Sequence, residues 1–164
     1  MTKEAIIQEM QKERVIAIAR GLSMEQAVGA AKALYAGGIR FMEVTFDATG
    51  KTTDVQTGET IAAIVKALNG RMRVGAGTVM NTTQVEVTRE NGGDFIISPN
   101  MNSEVIKRTN ELGMVSIPGA MTPTEAVCAH HYGADFVMIF PAGNLGPAYI
   151  KAIRAPLSNI RVVA

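Results

Sequence analysis

Asp135-Phe-Val-Met-Ile-Phe-Pro141 is an apolar run of strand length, and Pro141-Ala-Gly-Asn-Leu-Gly-Pro147 stops it. In an extended chain Phe136, Met138 and Phe140 share one face, and Val137 and Ile139 share the other. Most of the remaining chain repeats the same pattern: a short buried strand, a break at Gly or Pro, then a helix. Working outward from this stretch therefore decides the fold class.

Val15-Ile-Ala-Ile-Ala19 is a continuous apolar run, which suits a strand covered on both faces. Ser23 with Gln26 forms a capping-box signature ahead of Ala27, Val28, Ala31, Leu34 and Tyr35. Phe41–Phe46 is a second strand, followed by a polar loop and a helix through Ile61, Ile64, Val65 and Leu68. Met72–Val79 is a third strand, with a helix from about Thr82 to Glu90. Phe95–Ile97 and Met114–Ile117 are strands four and five, cut by Ser98-Pro99 and Pro118-Gly119. Thr122-Pro-Thr-Glu125 opens the next helix with proline at its first position. The opening stretch is strand six, Pro147–Arg154 its helix, and Ile160–Val163 the start of strand seven. Residues 2–13 form a leading amphipathic helix around Ile6, Ile7 and Met10.

Six βα units and no hairpin signal make a parallel α/β sheet. It can close as a (β/α)8 barrel or stay open and doubly wound. The dinucleotide fingerprint is missing, because Gly75-Ala-Gly77 meets Met80 where its third glycine belongs. On the residues alone both closures stay open; a barrel wants eight strands and this chain reaches the start of the seventh, so either a C-terminal part is missing or something else completes it.

Composition narrows the function classes. Hydrophobic residues are 47% and charged residues 19%, a globular balance. The net charge of +1 and scattered Lys and Arg argue against nucleic acid and membrane surfaces. One cysteine, Cys128, forms no internal disulfide and is expected as a small buried residue on a helix. No run approaches the ~18 residues of a membrane span. A cytoplasmic protein is expected.

Glu43 is the carboxylate flanked by apolar strand residues on both sides. Burial there raises its pKa unless it is paired. It is either a working acid/base or half of an ion pair with Arg20, which ends strand one. Thr78 closes strand three after two glycines and can hydrogen-bond a ligand oxygen; tight packing explains the glycines nearly as well. Ser98-Pro99 and Pro118-Gly119 either end strands or shape the rim of a pocket. His130 and His131 have no partners at metal-ligand spacing, so no metal site is expected. The seven lysines fall on helices or in the polar loop, so none is placed to act as a desolvated amine.

Met42-Glu-Val-Thr45, Gly75-Ala-Gly-Thr-Val79, Ile97-Ser-Pro99, Ile117-Pro-Gly119, Met121-Thr-Pro-Thr-Glu125, Ile139-Phe-Pro141 and Arg161-Val-Val163 resemble, in order and spacing, the bacterial 2-keto-3-deoxy-6-phosphogluconate / 4-hydroxy-2-oxoglutarate aldolase family. The resemblance implies one (β/α)8 barrel domain over residues 1–164, seen as six βα units plus the start of strand seven and C-terminally incomplete, a homotrimer, and cofactor-free class I aldol cleavage of a keto acid. The products would be pyruvate plus glyceraldehyde 3-phosphate or glyoxylate. It implies Glu43 as general acid/base, Thr78, Pro99 and Phe140 around pyruvate, and Arg20 near the substrate's anionic end. It also places the Schiff-base lysine at Met138, where a thioether cannot form an imine. Asp47 stands where some members carry an arginine. The chain ends at Ala164, before the family's Thr-Gly-Gly phosphate-binding turn and eighth strand. The expectation is an aldolase fold that is inactive as written. A non-catalytic barrel scaffold or pseudoenzyme is the alternative, and an epimerase using Glu43 as base a third reading.

Overall fold

The computed structural model describes residues 1–164. Along the chain come α1 (Lys3–Glu13), β1 (Ile16–Ala19), α2 (Met24–Ala36), β2 (Phe41–Thr45), α3 (Asp54–Ala67), β3 (Arg73–Gly77) and α4 (Thr82–Glu90). There follow β4 (Phe95–Ile97), α5 (Ser103–Glu111), β5 (Val115–Ile117), β6 (Gly119–Ala120), α6 (Pro123–His131), β7 (Val137–Ile139), α7 (Ala142–Arg154) and β8 (Val162–Val163). Every strand pair is parallel.

The strands pair in chain order, β1 to β5 in one sheet and β6 to β8 in another. Nowhere does the order reverse, which removes the doubly wound alternative. β5 and β6 are separated only by Pro118, whose missing N–H interrupts the ladder. Across that break Phe136 N donates to Ser116 O at 3.2 Å, and Met138 N to Pro118 O at 2.9 Å. The result is a curved parallel sheet running from β1 to β8. No ladder joins β8 to β1, and the sheet is not closed.

Two apolar layers follow from the strand alternation. Met42, Val44, Val74, Ala76 and Ile96 face outward onto Ala27, Ala31, Ile61, Ile64, Val85 and Val105 of the helices. Phe41, Phe95, Ile97, Val115, Ile117 and Phe136 face inward, joined by Ile6 and Met10 of α1. Each such fully buried side chain contributes about 1.5–3 kcal/mol. Helix α1 thus lies under the N-terminal ends of the strands. Lys3 is ion-paired with Asp135 at 2.8 Å, and Glu9 with Arg73 at 3.1 Å.

The capping boxes at Ser23 and Thr122 form as expected. Four local expectations need correction. The third helix starts at Asp54, not after the polar loop, because Thr53 and Gln56 build a further capping box. Gly58 then lets this helix approach α4, since a Cβ there would meet Asn91 and Val87. The turn signal after β7 contains one helical turn before Gly146, at φ 74°, breaks it ahead of Pro147. Strand β1 is not covered on both faces: Ala17 packs on the outer core, but Ile18 is 63% exposed. Cys128 is half-buried rather than buried.

Candidate functional site

The inner face of the sheet opens into a cleft of about 940 Å³ between β1 and β8. Glu43, at the middle of β2, projects into it. Its register neighbours are Ile18 on β1 and Gly75 on β3. Gly75 leaves room for the Phe95 ring, and Gly77 leaves room for the Glu43 carboxylate: a Cβ at Gly77 would overlap Glu43 Oε1. Both glycines answer to tight packing, Gly75 against the Phe95 ring and Gly77 against the Glu43 carboxylate.

Glu43 is 4% exposed. Burial pushes its carboxyl up to about 7, and the Arg20 guanidinium draws it down only in part. No Glu43–Arg20 ion pair forms within 4.0 Å. The structural ion pair left open by the sequence is thus absent, and Arg20 stands exposed at the cleft wall.

Thr78 lines the same cleft with φ 58°. A β-branched residue in the left-handed region is strained by about 1–3 kcal/mol, and such strain gathers at working sites. Pro99, Phe136, Met138 and Phe140 complete the wall, the last three from one face of β7. Phe140 is 47% exposed at the mouth. All six residues singled out in the sequence meet in this one cleft: Arg20, Glu43, Thr78, Pro99, Met138 and Phe140. No lysine lines it, and four arginines do: Arg14, Arg20, Arg154 and Arg161. Arg14 and Arg154 were not singled out in the sequence because they lie at helix ends, outside the strands, and Arg161 was read only as part of the matching stretch Arg161-Val-Val163.

Asp47 turns back onto its own loop. Its carboxylate accepts from Thr49 N at 2.8 Å, Thr49 Oγ1 at 2.7 Å and Thr52 N at 2.9 Å. These bonds hold its pKa down at about 2. The side chain braces the loop between β2 and α3. His130 and His131 are exposed on α6.

The raised Glu43 pKa has a stability consequence. The folded chain holds this proton more tightly than the unfolded chain, whose glutamate titrates near 4.5. Below that pH the group favours folding most. As pH rises from about 4.5 through about 7, ionisation inside the cleft removes that contribution. A loss of up to about 3 kcal/mol is expected across the window. Urea unfolding of the chain and of Glu43→Gln at pH 4.5 and 8 checks it. Equal slopes in the two proteins would contradict the buried, unpaired state.

The KDPG and KHG aldolase family model matches residues 6–164. A probable 2-dehydro-3-deoxy-6-phosphogalactonate aldolase of Rhizobium meliloti is 40% identical over 143 residues, covering 87% of this chain and 65% of that relative. The 2-dehydro-3-deoxy-6-phosphogalactonate aldolase of Escherichia coli K12 is 38% identical, covering 92% of this chain and 71% of the relative. The chain thus spans about two thirds of the length of these relatives. The native KDPGal structure superposes with a TM-score of 0.81 at 38% identity, over 90% of this chain and 69% of that one. The KDPG aldolase of Legionella pneumophila, with pyruvate captured as a covalent carbinolamine, gives 0.78 at 26% identity, over 90% and 68%. With the match running from Ile6 to Ala164, the chain belongs to the KDPG and KHG aldolase family.

Proposed function

We propose that the cleft is the keto-acid site of an aldehyde-lyase, with its acid/base group in place and its amine nucleophile replaced by Met138. The observation that carries this reading is Glu43, a buried carboxyl titrating at about 7 in a cleft that Met138 also lines. An acid/base group works best when its pKa lies near the operating pH. The relatives act on 2-keto-3-deoxy sugar acids by name, and the Legionella enzyme holds pyruvate as a carbinolamine.

In such a cleavage the amine adds to the C2 carbonyl of the keto acid, and water leaves to give the imine. Glu43 is suited to protonate the departing hydroxyl, then to take the proton from the hydroxyl of the carbon released as aldehyde. Thr78, Pro99 and Phe140 enclose the three-carbon portion, and Arg20 faces its carboxylate. The sulfur of Met138 carries no proton and forms no imine, so the chain as written binds the keto acid without cleaving it. Incubation with pyruvate and borohydride, followed by intact-protein mass spectrometry, is expected to leave the chain unmodified. A covalent adduct would overturn the inactive assignment.

A non-catalytic barrel scaffold is the second reading, favoured by Met138 itself. The fold of the complete protein is a (β/α)8 barrel in this proposal, of which β1 to β8 form seven staves. The assembly is a homotrimer. Val55 in the first turn of α3, and Met80 and Met121 in the loops before α4 and α6, support an assembled state, being 64%, 45% and 46% exposed. Sedimentation is expected to show a mass well above the 17.4 kDa of one chain. A monomer with one cooperative thermal transition would refute the assembly.

A further inference from the structure

Beside the N-terminal starts of β2 and β3, Tyr35 holds two arginines. The Arg40 guanidinium lies 4.4 Å from its ring centroid and that of Arg71 5.2 Å. Arg40 stands just before β2, and Arg71 just before β3. Arg73 N donates to Arg40 O at 2.8 Å, which fixes the two strand starts side by side. Each guanidinium is anchored to main-chain carbonyls on one edge. Arg40 Nη1 donates to Tyr35 O and Ile39 O at 3.0 and 3.1 Å. Arg71 Nε donates to Leu68 O at 3.0 Å.

Neither guanidinium has a carboxylate within 4.0 Å. The nearby acids Glu9 and Asp94 are engaged by Arg73. The sequence deepens the imbalance. No Asp or Glu occurs between Glu25 and Glu43, or between Glu59 and Glu86, while Lys32, Arg40, Lys66, Arg71 and Arg73 fall in those stretches. The C-terminal ends of α2 and α3 offset about half a unit of charge each. A positive excess remains, and each arginine, with five N–H donors, keeps free donors beyond its anchored edge.

We propose that the Tyr35–Arg40–Arg71 cluster is a binding site for a small phosphate dianion, inorganic phosphate or a phosphomonoester, separate from the Glu43 cleft. Two forked donors held against one ring lose little freedom on binding. Phosphate oxygens match the guanidinium fork in a way that chloride does not. This assignment stands apart from the reading of the cleft, because it uses none of the cleft's residues.

The test uses the chain's own reporters. It has three tyrosines and no tryptophan, so tyrosine emission is not masked. Potassium phosphate is titrated at constant ionic strength, with chloride as the exchanged anion, and calorimetry runs in parallel. The expected result is a saturable transition that Arg71→Gln weakens at least about tenfold, the loss of a charge-assisted hydrogen-bond pair. Arg71→Lys, which keeps charge but not the fork and covers the case in which Arg71→Gln fails to fold, is expected to fall between. Arg20→Gln, in the cleft, is expected to bind as the unaltered chain does. The proposal is overturned by absence of saturation, by unchanged affinity in Arg71→Lys, or by a loss that follows Arg20→Gln instead.

Discussion

Met138→Lys is expected to convert a chain that leaves pyruvate unmodified into one that borohydride fixes to it covalently, with retro-aldol turnover at least about a thousandfold above the unaltered chain. Loss of a nucleophile costs on the order of 10⁶ in a well-studied hydrolase, so its restoration is the largest functional change available here. The fold should accept the exchange. Lysine and methionine are both unbranched and close in volume, and Met138 is half-buried on the open cleft rather than sealed in a core. Partial desolvation lowers a lysine's pKa, which supplies the free amine that attack on a carbonyl needs. Its neighbours in the cleft already include Glu43 at about 7. Adding Glu43→Gln should keep imine trapping but reduce turnover by about 10²–10⁴. If Met138→Lys neither traps pyruvate nor cleaves a keto acid, the role given to this position fails.

Phe95→Ala is expected to have the largest effect on stability, a loss of about 3–5 kcal/mol. Phe95 is fully buried. Its ring sits 6.1 Å from that of Phe41 at 54°, the tilted arrangement aromatic pairs prefer. It also covers Gly75, where no side chain can replace it. The void would open directly beneath Glu43, since Gly75 is that residue's register partner. Against a usual total of ~5–15 kcal/mol, the chain would be close to unfolding. Chemical denaturation measures it: the midpoint should fall while the slope stays the same. A loss below about 1 kcal/mol would mean that the inner layer does not hold the sheet together.

Much of this architecture is written in local sequence signals. The strands follow apolar runs that end at Gly or Pro. Two capping boxes, Ser23 with Gln26 and Thr122 with Glu125, mark helix starts without reference to the rest of the fold. Glu43 stands out because a carboxylate amid apolar strand residues must be explained. Where tertiary packing overrides propensity, the signal is lost. Thr57, Gly58 and Thr60 are weak helix formers, yet they are buried within α3 because Gly58 fits against Asn91 and Val87. The Thr53–Gln56 capping box was the available clue. Nor does the sequence state that Thr78 takes φ 58°, or that Gly77 is the seat of a carboxylate; both depend on how neighbouring strands lie. Arg14 and Arg154 were hidden too, because no strand alternation reaches the helix ends that carry them into the cleft.

Helix α1 also governs the order in which the chain can be completed. Its anchors reach across the sequence: Glu9 to Arg73 over 64 residues, and Lys3 to Asn110 over 107. During synthesis α1 can therefore meet Ile16 and Phe41 early, but its polar anchors are missing until β3 and then α5 have been made. Its apolar face, Ile6 and Met10, gains its full native cover only when Phe95, Val115 and Phe136 have followed. A helix made before all of β1 to β8 is thus locked in place by residues made long after it.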